Sequence, residues 1–343
     1  MRKLNVMVIF GGKSGEHEVS LMSATSILNV MDRDKYNIIP VGITKDGIWK
    51  LYNGPIEEIV TGKWEELGED MDLFSLSKDN REKVDIVFPV LHGPFGEDGR
   101  LQGLLEMLNL PYVGAGVLAS SVGMDKVVTK QLASFANIPQ AKYIDTIEND
   151  YRENIKEVIT NIETQLGYPV FVKPANLGSS VGISKAKNRE ELIEAIELAF
   201  EYDRKIVVEE GINAREIECS VLGNDEPKAS VLAEIIPGKE FYDYEDKYID
   251  GNSRFEIPAN IPKEITVEIQ NLAIKVYKLL NCTGLARVDF FVEKVTNKIY
   301  FNEINTMPGF TQISMYPKMW EATGIKYKDL IDKLIDLGIK RFK

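Results

Sequence analysis

Apolar and polar positions along this chain fall into blocks whose period switches between two and about 3.6 residues, the mark of strands interleaved with helices. Leu4 to Phe10, Tyr36 to Thr44 and Val84 to Val90 read as strands of one open α/β sheet. Val19 to Met31 reads as a helix, and Leu101, Leu104, Leu105 and Leu108, spaced i, i+3, i+4 and i+7, predict another. Pro111 to Gly123 is rich in glycine and alanine and marks the first domain boundary. Beyond it, MDKVVTKQL starts a helix carrying Lys126 and Lys130, and the strand VFVK ends at Lys173. VGIS forms a further strand, and Asn188 with Glu191 opens a helix continued by Leu192, Ile196 and Ala199. The strand IVVE ends that segment. Ile265, Ile269, Leu272, Val276 and Leu279 predict a long helix. LARVDFFV and KIYFNEI, flanking Thr296-Asn297, then predict an antiparallel hairpin, and Pro317 to Lys343 reads as a closing, mostly helical segment. Residues 237 to 256 show neither period. A loop of that length inside a domain is usually functional, and this one has the make-up of an active-site lid carrying Lys247 and Tyr248.

Composition narrows the setting. At 343 residues, 44% of them hydrophobic, the chain has the length for two or three soluble domains. No apolar run approaches the ~20 residues of a membrane span. Met1 to Phe10 is strand-like and runs into Gly11-Gly12 rather than a cleavage site, so a cytoplasmic location is expected. Cys219 and Cys282 are the only cysteines and read as two core thiols. A net charge of −12 argues against a nucleic-acid surface, although phosphates can still bind where basic residues concentrate.

The predicted hairpin carries the most specific chemistry. Arg287 and Asp289 share one face of its first strand, and Glu303 and Asn305 share one face of its second. With the turn near Thr296 or Asn297, Asp289 falls opposite Glu303 or Asn305. Facing carboxylates repel unless a cation lies between them, and an all-oxygen donor set suits Mg²⁺. An exposed polar sheet face is the alternative. Near the N-terminus, the strand, the loop GGKSGEHEVS and the helix suggest a ligand site, yet neither G-x-G-x-x-G nor G-x-x-x-x-G-K-[ST] is present. Glu16, His17 and Glu18 point instead to an ammonium ligand, or, for Glu16, to stabilisation of the helix dipole. LHGPFGEDGR sits at a strand's carboxyl end, where open α/β sheets place ligands, and carries His92, as consistent with a core histidine as with a ligand contact. PANLGSSVG connects two strands after Lys173 and fits a flap over phosphates. Glu209, Glu210 and Glu216 could accept bonds from an adenine amino group and ribose hydroxyls, or form solvated surface.

GGKSGEHEVS, LHGPFGEDG, MDK, VKPANLGSSVG, YDYEDKY, LARVDFF and EINTMPGFTQIS occur here in that order. This ordered set resembles the D-alanine:D-alanine ligases of the ATP-grasp superfamily, from about residue 5 to about residue 320. The resemblance implies a three-domain α/β ATP-grasp fold with a Rossmann-like domain at 1–118, a central subdomain at 119–213 and a C-terminal subdomain at 214–343. It implies ATP as cofactor, with Lys126 and Lys173 on its phosphates, Ser179, Ser180 and Val181 in the flap, and Glu209, Glu210, Ile212 and Glu216 around the nucleoside. Gly211 stands where a bulkier residue is common. Asp289, Glu303 and Asn305 would hold two Mg²⁺ ions, or Mn²⁺. Glu16 would hold the first D-alanine's ammonium and Ser314 the second's carboxylate. Arg287 and the Gly309 N–H would stabilise the oxyanion, and Lys247 would reach the transferring phosphate. Ser179 and Tyr248 would connect to Glu16 and latch the lid. The implied partners are small-molecule substrates and a second subunit in a homodimer, with no nucleic acid and no membrane. Ligation of D-alanine to D-lactate or D-serine, and an inactive nucleotide-binding relative, are the alternatives.

Overall fold

Three sheets position the functional loops in a computed structural model that describes residues 2–72, 84–236 and 254–342. Lys247 and Tyr248 lie outside the described residues. In the first sheet Leu4–Gly11 is central, parallel to Tyr36–Ile43 on one side and to Ile86–Pro89 on the other. The chain therefore leaves the central strand in opposite directions, which opens a crevice between the loops after Leu4–Gly11 and Ile86–Pro89. Ser14 Oγ donates to the His92 carbonyl at 2.6 Å and ties those two loops together. Gly11, at φ +87°, must be glycine, because a Cβ there would lie 2.2 Å from the Ile43 carbonyl oxygen. Trp49–Leu51 and Glu69–Asp70 extend the sheet antiparallel. At three and two residues they are too short to show a period.

The second sheet runs Tyr143–Ile147, Lys205–Glu210, Val170–Pro174, Ser184–Ala186, with every neighbouring pair antiparallel. The predicted flap is the connection from Val170–Pro174 to Ser184–Ala186. Helix Lys126–Phe135 is started by Asp125, whose carboxylate accepts from the N–H groups of Val127 and Val128. Asn188 caps helix Arg189–Phe200 by accepting from the Glu191 N–H at 2.9 Å, and Glu191 reaches back to the Lys187 N–H at 2.8 Å.

The third sheet is antiparallel throughout: Arg254–Glu256, Lys228–Ile236, Ala214–Leu222, Leu285–Glu293, Ile299–Asn305. Helix Lys263–Leu279 covers it with Ile269, Ala273, Val276 and Tyr277, all buried. The end of the glycine- and alanine-rich stretch, with Met124, forms helix Val117–Met124. The closing helix Tyr327–Arg341 does not join the third sheet's core. Its Leu330, Ile331, Leu334 and Ile335 pack with Val6, Val8 and Phe88 of the first. Its amphipathic period is plain in the sequence, but a period does not say which sheet the apolar stripe will meet. Arg341 anchors the helix by donating to the Gly114 carbonyl at 2.6 Å, its guanidinium lying 4.0 Å from the Tyr112 ring centroid. Among the described residues no helix is long and apolar enough to cross a membrane.

Candidate active site

The predicted hairpin forms, with Asp289 directly opposite Glu303 and Arg287 opposite Asn305. The register shifts between Asp289 and Phe290, an irregularity of the kind that re-aims side chains beside functional sites. Cations meet both carboxylates. Arg287 donates from Nε to Asp289 Oδ1 at 2.8 Å and from Nη2 to Oδ2 at 2.7 Å. Its Nε also lies 3.1 Å from Glu218 Oε1, and Lys126 Nζ lies 3.6 Å from Glu303 Oε2. Burial alone would depress the Arg287 guanidinium, but Asp289 and Glu218 outweigh it and hold its pKa well above the ordinary value. Arg287 thus balances Asp289 and still lines the cavity described below.

Asp289, Glu303 and Asn305 suit a hard divalent cation, since together they offer two carboxylates and an amide oxygen at one end of a strand pair. Asn305 Nδ2 donates to Asp289 Oδ2 at 2.9 Å, which already gathers two of the three. Among the described residues no three His, Cys, Asp or Glu side chains cluster at metal-ligand spacing. A metal here would therefore draw its further ligands from the amide and from substrate phosphates, as Mg²⁺ commonly does.

The phosphate-binding candidates converge from the second sheet and from helix Lys126–Phe135. Lys126 Nζ donates to the Leu177 carbonyl at 2.7 Å, at the base of the flap. Lys173 Nζ donates to Glu209 Oε2 at 2.9 Å and to Asn302 Oδ1 at 3.4 Å. Burial lowers the Lys173 pKa, but Glu209 and Glu303 reverse the shift and hold it above its ordinary value. Burial would raise Glu209, whereas Lys130 and Lys173 bring it down to about 2. In the flap, Ser179 and Ser180 both adopt the left-handed conformation, at φ +52° and +59°. Such residues cost about 1 kcal/mol each and concentrate where a backbone must present itself to a ligand.

The flap meets the first domain at Glu16. Ser179 Oγ donates to Glu16 Oε1. Glu16 precedes helix His17–Val30 without capping it, and a Cβ on Gly93 would lie 2.2 Å from its Oε2. The Glu16 carboxylate is thus confined between the flap and the glycine loop.

His92 lines the same space, but both its ring nitrogens are engaged. Nδ1 lies 3.0 Å from the Met307 carbonyl and Nε2 lies 2.9 Å from Ser23 Oγ. A carbonyl only accepts, so Nδ1 carries the proton and the Ser23 hydroxyl donates to Nε2. Burial lowers the His92 pKa despite the opposing charge of Glu16, so the ring is a neutral bridge between the first domain and the 306–314 loop. In that loop the Thr311 N–H donates to Ser314 Oγ at 3.0 Å, and a Cβ on Gly309 would lie 3.1 Å from the same oxygen.

One cavity of about 870 Å³ collects these groups. Glu16, His92, Lys126, Lys173, Ser179, Ser180, Glu216, Arg287, Asp289, Glu303, Asn305, Gly309 and Ser314 all line it. Val181, Glu209, Glu210 and Ile212 do not reach its wall. The Glu210 carboxylate accepts from the Lys142 N–H at 2.8 Å, so it is occupied in holding a neighbouring strand.

Family models for the N-terminal and C-terminal parts of D-ala D-ala ligase match residues 5–115 and 132–336. The chain belongs to the D-alanine–D-alanine ligase family. The D-alanine–D-alanine ligase of Acetivibrio thermocellus is 52% identical over 99% of this chain and 97% of the relative, and that of Caldicellulosiruptor bescii is 55% identical over 99% and 96%. Among solved structures, the VanG D-Ala:D-Ser ligase of Enterococcus faecalis superposes with a TM-score of 0.88 at 41% identity, covering 98% of this chain and all of that one. The D-alanine–D-alanine ligase of Coxiella burnetii gives 0.88 at 39% identity, covering 100% and 95%. The ATP-grasp architecture read from the motifs is thus the fold of this ligase family member.

Two acids of the ligase site escape a reading of the sequence. Glu218 stands beside Asp289 across the strand pair and shares Arg287 with it. Its signal was available, because Glu216 and Glu218 alternate onto one face of a strand. Glu97 accepts from the Gly93 N–H at 2.7 Å and from the Met307 N–H at 3.4 Å, joining the same two segments that His92 joins. Its signal was a carboxylate inside a glycine loop. Burial first, and the charge of Glu16 second, push the Glu97 carboxyl up to about 8. A raised folded-state pKa contributes stability that is complete below the unfolded carboxyl range near about 4.3 and is lost as the pH rises to about 8. Inside that window the loss approaches about 1.4 kcal/mol per pH unit. Thermal melts from pH 5 to 9 should therefore show wild type losing stability against Glu97→Gln up to about pH 8, with a constant difference above it. A difference that is flat throughout would refute the raised pKa.

Proposed function

We infer that this chain condenses two D-alanine molecules into D-alanyl-D-alanine at the expense of ATP. The supporting observation is that one cavity gathers a carboxylate, Glu16, from the first domain, two lysines, Lys126 and Lys173, from the central one, and Arg287, Gly309 and Ser314 from the third. A carboxylate is a poor electrophile, because oxide is a poor leaving group. The carboxylate oxygen of the first D-alanine attacks the γ-phosphorus, the bond to the bridging oxygen breaks, and ADP departs. The free amine of the second D-alanine then attacks the acylphosphate carbonyl and loses a proton. The tetrahedral oxyanion collapses with expulsion of phosphate.

Glu16 fixes the first ammonium and Ser314 the second carboxylate, which sets the two reacting groups side by side. Lys126 and Lys173 hold the phosphates, and Glu216 holds the ribose. Arg287 and the Gly309 N–H face the oxyanion. Bound at Asp289, Glu303 and Asn305, Mg²⁺ or Mn²⁺ supplies positive charge against the transferring phosphoryl group. The Ser179–Glu16 bond closes the flap over the substrates and keeps water from the acylphosphate. Lys247 and Tyr248 complete the lid by the family resemblance, and a homodimer follows from the same source.

Purified protein with ATP, Mg²⁺ and D-alanine should release ADP and the dipeptide in equal amounts. ATP binding without dipeptide would overturn the reading. The 41% identity to a D-Ala:D-Ser ligase favours one second possibility. D-serine and D-lactate, offered as second substrates against D-alanine at equal concentration, decide between them.

A further inference from the structure

Behind the cavity wall, two lysines share one carboxylate. Lys130 Nζ lies 3.1 Å from Glu209 Oε1, and Lys173 Nζ lies 2.9 Å from Glu209 Oε2. Lys130 is 1% exposed and does not reach the cavity, whereas Lys173 does. Both Lys126 and Lys130 come from helix Lys126–Phe135, one turn apart, so one helix supplies a lysine to the cavity and a lysine to the layer behind it.

Stability alone does not call for Lys130. An ammonium carries a desolvation cost that an apolar side chain of similar length avoids, and a buried ion pair is often no better than its hydrophobic replacement. Here a second cation is also buried beside the first, and each makes the other more costly. Lys130 Nζ has three donors but no hydrogen bond of good geometry, only the ion pair to Glu209 and the Tyr143 ring centroid at 5.5 Å.

We propose that Lys130 is a positioning residue for nucleotide binding: by taking one oxygen of Glu209 it prevents that carboxylate from neutralising Lys173, and leaves Lys173 with charge and donors for the phosphates. With Lys130 present the three groups carry a net positive charge, and Lys173 presents it to the cavity. Without it Glu209 and Lys173 form a closed neutral pair, and the bidentate grip of the carboxylate draws the ammonium away from the triphosphate. The inference rests on Lys173 as a phosphate ligand.

The test uses Lys130→Met, Lys130→Arg, Glu209→Gln and the double variant Lys130→Met/Glu209→Gln in the full chain. Lys130→Met should raise KM for ATP and Kd for a non-hydrolysable ATP analogue about tenfold, leaving KM for D-alanine and the melting temperature nearly unchanged. Lys130→Arg, which keeps the charge, should restore ATP binding to within about threefold of wild type. In the Glu209→Gln background Lys130→Met should have no further effect on ATP, because the carboxylate it restrains is gone. If Lys130→Met does not fold, Lys130→Gln, polar and uncharged, takes its place with the same expected rise. Unchanged ATP binding in the folded uncharged variant, equal losses for ATP and D-alanine, or additive effects in the double variant would each overturn the proposal. Lys173→Met separates this from the reading beneath it. If that variant binds the ATP analogue normally, the phosphate assignment fails. If it binds poorly while Lys130→Met binds well, only the role of Lys130 fails.

Discussion

Glu303→Ala should lower kcat by about a hundredfold or more at saturating Mg²⁺ while melting within a few degrees of wild type. The asymmetry follows from where Glu303 stands. It faces Asp289 across the hairpin, so its removal deletes one of two carboxylates available to a divalent ion. Its side chain is nevertheless 31% exposed, where ion pairs contribute little, so the fold loses little. Isothermal titration with Mn²⁺ in the presence of an ATP analogue gives a readout apart from turnover and should show weakened metal binding. Near-normal turnover with unchanged Mn²⁺ binding would remove Glu303 from the metal site.

Arg287→Met carries the second large effect, and it has two parts. If Arg287 faces the oxyanion as proposed, its loss should reduce kcat about 10²- to 10³-fold. In addition, Asp289 and Glu218, both buried, lose their shared counter-charge, and breaking such a pair costs about 3–5 kcal/mol. The melting temperature should therefore fall together with activity. Arg287→Lys separates the two parts. An ammonium retains charge near both acids but lacks the planar fork that now grips Asp289 through two hydrogen bonds. Stability should largely return in Arg287→Lys while kcat stays depressed. If activity instead recovers in proportion to stability, Arg287 is a structural charge partner and the oxyanion role is withdrawn.

Local features of this chain were readable because each was fixed by neighbours in sequence. Counting outward from the Thr296-Asn297 turn leaves Asp289 opposite Glu303 or Asn305, because side chains on a strand alternate with a period of two, and the register shift between Asp289 and Phe290, which the count does not contain, sets Glu303 as the partner. The Asn188–Glu191 cap and the strand-to-strand flap are equally local. What escaped depends on contacts between distant segments. His92 could be placed at a ligand-binding loop, but that its two nitrogens would be taken by Met307 and Ser23 depends on how the third domain docks on the first. Glu209 and Glu210 looked alike as neighbours, yet alternation sends one to a pair of buried lysines and the other to the Lys142 backbone. The destination of the closing helix was hidden for the same reason. The ordered motifs supplied the family, and with it the reaction, which no single motif specifies.

That closing helix has a consequence for how the chain is assembled. The core of the first sheet is completed by Leu330, Ile331, Leu334 and Ile335, which are made almost a full chain length after Val6 and Val8. On a ribosome, where segments emerge in order, the N-terminal lobe therefore keeps one apolar flank open until residues 330–335 have emerged, and closing it brings together segments far apart in sequence.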